Sequence, residues 1–245
     1  MPELIFELGC EELPATAVRR AVRDLSAAIQ GALKEAGIEF GETQLFATPR
    51  RLIVLIADVS ARQPDQQKES RGPSVTAAFD ASGAPTKALE GFCRAQGVTP
   101  EQLRREGEYV WADRLVVGVP TGEILAQALP KAVRGLSFDK TMRWGTSRMR
   151  FARPIRWIVA LFGGEIVPFD IEGVAAGNQS CGHRFYSPEF FPVRTGSAFL
   201  EDLRTRHVEP CAKRRREMIL AGAELAPSGT TVEWSDALID ENVFL

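Results

Sequence analysis

LIVLIADV, Leu52–Val59, is a nearly continuous apolar run of strand length. A strand with one wet face alternates apolar and polar residues, so a run without alternation belongs to a strand covered on both faces. A second strand, Gln44–Thr48, lies just before it, beyond the break at Pro49-Arg50-Arg51. Another short apolar strand, LIFEL at Leu4–Leu8, ends in Gly9 with Pro14 close behind. From Ala15 to Ala36, Val18, Val22, Leu25, Ile29 and Leu33 recur at steps of three and four residues, an amphipathic helix closed by Gly37. Its opposite face holds Arg19, Arg20, Arg23 and Lys34 and reads as solvated. Glu11 and Glu12 near the helix start suit the positive end of the helix dipole and read as capping residues rather than a paired acid site.

Further along, Arg62–Pro73 reads as a loop or edge segment, and Thr86–Gln96 as a short helix. Thr99-Pro100-Glu101-Gln102 reads as the start of a second helix, with Thr99 as cap and Pro100 in the first turn. Tyr109–Val117 is a strand, and Gly122–Val133 has helical spacing interrupted at Pro130. Two apolar runs, Arg156–Phe162 and Glu165–Ile171, joined by Gly163-Gly164 predict a hairpin, with Pro168 placing the second run at an edge or bulge. Ser197–Arg206 and Pro210–Ala223 read as charged helices, with Lys213–Arg216 a solvated basic run. The end, Asn242-Val243-Phe244-Leu245, is apolar, as in a chain cut before its next element, so that it and Trp234 should lack part of their packing. Sheet elements precede helical ones. The expected fold is α+β: a mixed or antiparallel sheet domain with packed helices over residues 1–192, then residues 193–245 as the apparently truncated start of a helical second domain.

The chain has 245 residues, 44% hydrophobic and 25% charged, with a formal net charge of -2. That is the composition of a soluble globular protein. No apolar run approaches the roughly 20 residues needed to span a bilayer. Glu3 and Glu7 stand where a secretory signal would carry positive charge, so a cytoplasmic protein without membrane contact is expected. Cys10, Cys93, Cys181 and Cys211 form no C-x-x-C pair and read as reduced thiols. With only His183 and His207 to add, no metal set has usable spacing. Signatures of phosphate loops, dinucleotide folds, zinc proteases and serine hydrolases are absent.

Charge is unevenly placed at one stretch, TMRWGTSRMRFARPIRW, Thr141–Trp157. Arg143, Arg148, Arg150, Arg153 and Arg156 occur there, with no Asp or Glu between Asp139 and Glu165. Guanidinium groups bind phosphate bidentately and stack on flat rings, and Trp144, Phe151 and Trp157 lie among them. Arginine interleaved with aromatic residues suits a nucleic-acid surface. The same pattern also fits a charged strand edge with buried tryptophans. Side chains alternate along a strand, so Arg148 and Arg150 share a face if the segment is extended, and Arg153 before Pro154 sits at a bend. Arg148, Arg150 and Arg153 are the phosphate candidates, whereas Arg143, Trp144, Arg156 and Trp157 are read as structural anchors. His183 and Arg184 in the Cys181–Phe185 loop complete the candidate nucleic-acid-binding set, although His183 without a Ser, Cys or carboxylate partner at diagnostic spacing also reads as structural.

Several short stretches in order resemble the β subunit of the bacterial heterotetrameric glycyl-tRNA synthetase. They are Glu7-Leu8-Gly9-Cys10-Glu11-Glu12-Leu13-Pro14, Ala47-Thr48-Pro49-Arg50-Arg51-Leu52, Arg71-Gly72-Pro73, Met142-Arg143-Trp144-Gly145, Phe151-Ala152-Arg153-Pro154-Ile155-Arg156-Trp157 and Gly182-His183-Arg184-Phe185. The chain departs from that pattern at Cys181, where arginine is expected, and at Cys10, where a small polar residue is usual. The resemblance implies the N-terminal third of a longer subunit that continues into a helical HD-type domain and an anticodon-binding domain. It also implies a non-catalytic role in binding glycine tRNA and in assembling the α2β2 enzyme with the α subunit. ATP and Mg would be used by that α subunit, and this chain would bind no cofactor and carry no catalytic residue. The region is similar, too, to the B3/B4-type module that edits mischarged tRNA in phenylalanyl-tRNA synthetase. Glycine is the smallest amino acid, so a pocket sized for it rejects larger side chains by clash and leaves a second sieve little to correct. An editing hydrolase and a protein-interaction scaffold without RNA contact are the alternatives.

Overall fold

A computed structural model describes residues 1–80 and 82–245, apart from the side chain of Ala223. It contains both helices and sheets, an α+β fold. Two compact units divide it: Met1–Arg62 with Pro120–Leu245, and Gln63–Val119. The division thus falls at residues 62 and 119 rather than at 192.

In the larger unit the strands are β1 (Leu4–Cys10), β2 (Thr43–Thr48) and β3 (Arg51–Ile56), and the long first helix is α1 (Ala15–Glu35). The smaller unit holds β4 (Gln66–Ser74), α2 (Val75–Ala78), α3 (Lys87–Gln96), β5 (Leu103–Glu106) and β6 (Tyr109–Val116). The chain then supplies α4 (Thr121–Arg134), β7 (Ile155–Phe162), β8 (Glu165–Ile166), β9 (Asp170–Ile171), β10 (Val174–Gly177), β11 (Gln179–Cys181) and β12 (Phe190–Pro192). It ends in α5 (Gly196–Thr205), α6 (Ala212–Ala221) and α7 (Asp236–Asn242).

The main sheet runs β2-β3-β1-β7-β10-β9, with β8 also paired to β7. β1 and β3 are buried along their whole length, because apolar layers cover both sides. Leu4, Phe6 and Leu8 with Leu52, Val54 and Ile56 face Val18, Leu25, Ile29 and Leu33 of α1 and Leu125, Leu129 and Val133 of α4. Ile5, Ile53, Leu55, Val159 and Leu161 face Phe199 and Leu203 of α5 and Phe191 of β12. Each such side chain, fully buried, stabilises the fold by about 1.5–3 kcal/mol. Residues after 192 therefore build the second layer of this sheet rather than beginning a separate body.

The smaller unit is a three-stranded antiparallel sheet, β4-β6-β5, whose core of Ala78, Leu89, Cys93 and Val110 is closed by α2 and α3. The polar segment Gln66–Ser74 is one of its two edge strands, and the pairing slips between Arg71 and Ser74, where Pro73 lies. Thr99 and Gln102 do form a capping box, but the helix stops after Pro100–Gln102 because Leu103–Glu106 pairs with β6. The expected helix pair is a helix and a strand.

Other local expectations yield to packing. α4 continues through Pro130 to Arg134. An internal proline costs about 3 kcal/mol, and the burial of Leu125, Leu129, Pro130 and Val133 on that helix offsets it. Gly163 and Gly164 turn with φ of 59° and 88°, the conformation of a tight hairpin, and Leu161 pairs with Ile166. The second run of that hairpin breaks at Pro168 into β8 and β9. At the C-terminus, Val243 and Phe244 are buried in the α1 layer, while Trp234 and Leu245 stay exposed. Arg215, read as solvated, donates to the carbonyls of Ala47 at 2.9 Å, Glu209 at 2.8 Å and Val243 at 2.8 Å. Its guanidinium also lies 5.4 Å from the Phe244 ring. Burial lowers its pKa.

In the middle of the sheet sits a charged group. Glu7 and Arg51 are buried neighbours, 3.2 Å apart at Oε1 and Nη1. Trp157 Nε1 donates to Glu7 Oε2 at 2.9 Å, and Arg51 Nη2 donates to the carbonyl of Cys181 at 3.0 Å. The indole lies flat over Gly9, where a β-carbon would come within 2.0 Å of the ring. Burial holds the Glu7 carboxyl above the usual glutamate range, against the pull of Arg51 and of the indole hydrogen bond.

Gly9→Ala should displace the indole and cost about 3 kcal/mol, from overpacking together with the lost hydrogen bond. Arg51→Met should cost about 3–5 kcal/mol by leaving a buried carboxylate alone, and adding Glu7→Gln should recover part of it; chemical denaturation of the three variants measures both. Because the folded state binds the Glu7 proton more tightly than the unfolded chain, its contribution is complete below the ordinary glutamate value and is lost as pH rises through the raised one. Glu7→Gln should flatten that part of the stability–pH curve. Arg215→Ala should lower hydrogen-exchange protection of residues 239–244 before that of β3, since it unties α6 from the tail and from β2.

Candidate nucleic-acid interface

The arginine-rich stretch does not stay together in space. Thr141–Arg150 is irregular, with an isolated bridge between Met142 and Phe151. The alternation expected of a strand therefore does not apply there. Arg143, Arg148 and Arg150 are exposed. The backbone N–H of Arg148 donates to Glu172 at 3.0 Å, and Arg150 Nε donates to Thr141 at 3.0 Å. Arg153 is half-buried and its Nη1 donates to the carbonyl of Ala152 at 2.8 Å. Trp144 packs half-buried against the α1 layer. Trp157 is buried beneath the sheet as described.

Arg156 has a different fate. β1 and β7 slip register between Gly9 and Cys10, so that Cys10 pairs with Ile155 and Gly9 with Trp157. Arg156 is the extra residue of that bulge, which re-aims a side chain and bends the strand. It leaves the sheet, exposed, and brings Nε to 3.4 Å from Glu11 Oε1.

Glu11 and Glu12 are the centre of the resulting cluster. They do not cap α1, whose first turn contains no acid and whose cap residue is Pro14. Arg184 reaches Glu11 at 2.5 Å and Glu12 at 2.9 Å. Arg50 lies 3.7 Å from Glu11 and 3.6 Å from Glu12. Three guanidinium groups on two carboxylates leave one positive charge in excess. Arg50 Nε is buried without a hydrogen-bond partner among the described residues. The Nη donors of Arg156 carry no bond there either. Arg50 and Arg184 line a cavity of about 320 Å³ together with His183, His207, Arg215 and Glu209.

The loop that carries Arg184 is held from below. Arg51 binds the Cys181 and Gly182 carbonyls at 3.0 Å and 3.4 Å. Gly182 admits no side chain, since a β-carbon would lie 2.6 Å from the Ser187 carbonyl. His183 accepts from the backbone N–H of Phe185 at 3.2 Å and of Tyr186 at 3.4 Å, through Nδ1. Its own N–H donates to the Arg206 carbonyl at 3.0 Å. His183 thus shapes the turn. Cys10 below is a buried thiol pushed up to about 12 by burial, and burial likewise raises Cys181. Neither is a ready nucleophile.

Of the sequence candidates, the fold brings His183, Arg184, Arg156 and Trp157 to one place and leaves Arg143, Arg148, Arg150 and Arg153 outside the cluster. Arg50, His207, Glu11 and Glu12 were not foreseen in it. Arg50, though part of a motif stretch, and His207 stand far apart in the chain with no local mark of this cluster, and the two glutamates carry a capping signal that Pro14 overrides. No group of His, Cys, Asp and Glu among the described residues could hold a metal ion. Among the described residues, no helix is long and apolar enough to cross a membrane.

A family model described as glycyl-tRNA synthetase beta subunit matches residues 4–245. The chain is 43% identical over 243 residues to the glycine–tRNA ligase beta subunit of Syntrophus aciditrophicus, covering 96% of this chain and 35% of that protein. It is 42% identical over 226 residues to that of Citrifermentans bemidjiense, covering 91% and 33%. To that of Geobacter sulfurreducens it is 41% identical over 256 residues, covering 99% and 36%. The chain spans about a third of the length of the curated relatives it matches. Matched along almost its whole length, the chain belongs to the glycyl-tRNA synthetase beta-subunit family.

Proposed function

We propose that this chain is the tRNA-binding and assembly part of a glycine–tRNA ligase, working with an α subunit that carries the chemistry and uses ATP and Mg. In this reading it contributes no catalytic residue, and the α2β2 enzyme attaches glycine to its tRNA in the cytoplasm. The family of the chain supports the general activity. The observation that carries the RNA contact is the Glu11–Glu12 cluster: Arg50, Arg156 and Arg184 hold more positive charge than the carboxylates neutralise, and two of them, Arg50 and Arg184, line a cavity. Fixed guanidinium groups lose little entropy on meeting phosphate and bind it through paired donors. Arg148 and Arg150, exposed outside the cluster, are further candidates for phosphate contact, whereas Arg153 is half-buried with Nη1 on the Ala152 carbonyl. An editing reaction has less support, since Cys10 and Cys181 are buried thiols and His183 spends its Nδ1 acceptor on the loop backbone.

Affinity for glycine tRNA, measured across salt in the full-length subunit, tests this. Arg156→Ala should weaken binding and lower the salt slope by about one unit, with the melting temperature nearly unchanged. Arg148→Ala and Arg150→Ala should each do the same if the irregular stretch also meets phosphate. Unchanged affinity and slope in all three variants would remove RNA from the reading and leave a protein-interaction scaffold.

A further inference from the structure

The loop between β11 and β12 displays its aromatic side chains to solvent. Phe185 is 78% exposed and Tyr186 75% exposed. Folding gains little from rings held in water, and neither is needed by the apolar layers below. They are nevertheless ordered into a file. The His207 and Tyr186 rings are 5.5 Å apart, Tyr186 and His183 4.7 Å, and His183 and Phe185 6.0 Å. His183 is the brace of that file, because the backbone N–H groups of both exposed residues donate to its Nδ1. Gly182 and Arg51 pin the base of the loop to the buried pair in the sheet.

Arg184 lines the same cavity as His183 and Phe185. Arg184 sits between His183 and Phe185 in the chain, and Arg156 shares Glu11 with it while keeping its Nη donors without a bond among the described residues. Flat rings alone would suit an apolar protein face. Flat rings beside spare guanidinium donors suit a ligand that alternates π-faces with phosphates. In a duplex the base faces are covered by their neighbours, and A-form RNA offers side chains only groove edges and backbone; a base can stack on a protein ring only where the strand is unpaired.

We infer that this loop is a stacking platform for unpaired nucleotides, with bases on Phe185 and Tyr186 and the adjoining phosphate on Arg156. The inference rests on the tRNA-binding reading and narrows it to a single-stranded part of the RNA. Because the loop is braced before the ligand arrives, little ordering opposes binding.

The test is fluorescence anisotropy across salt with the full-length subunit, using a short labelled single-stranded RNA and the same strand annealed to its complement. The single strand should bind more tightly than the duplex. Phe185→Ala and Tyr186→Ala should each weaken it by about 5- to 100-fold, the range of base–aromatic stacking, without changing the salt slope. Phe185→Leu should behave as Phe185→Ala, and Phe185→Trp should bind as the parent. Both rings are exposed, so these variants fold. Parent-like binding by the alanine variants, or by Phe185→Leu, would overturn the platform while leaving RNA binding in place. Loss of α-subunit association in those variants, with RNA affinity intact, would overturn it in favour of a protein contact. A parent that binds neither RNA would bring down the tRNA-binding reading as well.

Discussion

The packing of the Trp157 indole over Gly9 is the contact on which the rest of the larger unit depends. It is possible only because residue 9 has no side chain, and it delivers the indole N–H to Glu7 in the centre of the sheet. A lone carboxylate there would be prohibitively costly to desolvate; Arg51 and Trp157 together make its burial tolerable. Arg51 then has donors left over and spends them on the carbonyls of Cys181 and Gly182. Through that one guanidinium, a loop distant in sequence is fastened to the central strands.

The bulge at Arg156 shows how a one-residue irregularity changes chemistry. With regular pairing, Arg156 would alternate into an apolar layer beside Ile158 and Ala160. The slipped register turns Ile155 inward and frees Arg156 to reach Glu11. Ile155 packs in the α1 layer while Trp157 packs in the α5 layer, so the two sides of the bulge serve different cores. The arginine-rich stretch is thereby divided between a surface segment and a site.

Several residues follow a local rule until a stronger tertiary term intervenes. Thr99 forms its capping box, yet the helix it announces gives way to a strand because β6 offers a partner. Pro130 carries the penalty of an internal proline and remains helical because its turn is buried. Arg215 stands in a basic run that reads as solvated and is instead the tie between α6, β2 and the buried Val243–Phe244 end. In each case the competing energies are comparable locally, and packing decides.

What the sequence by itself determined was whatever depends on neighbours in the chain. The nearly continuous apolar run Leu52–Val59 marks a doubly covered strand, the three-and-four spacing of Val18 to Leu33 marks α1, and Gly163-Gly164 marks a turn with positive φ. The motif residues likewise sufficed to reveal the family, since order along the chain is what such a resemblance measures. The tertiary structure alone decided which charges meet. Glu11 and Glu12 have no local mark that separates an ion-pair hub from a helix cap, and Arg50, Arg156 and Arg184 converge on them from three distant segments. Convergence of that kind is set by strand order, by a bulge and by one buried ion pair. Each of these is a contact between residues far apart in sequence, and so none leaves a periodic trace in it.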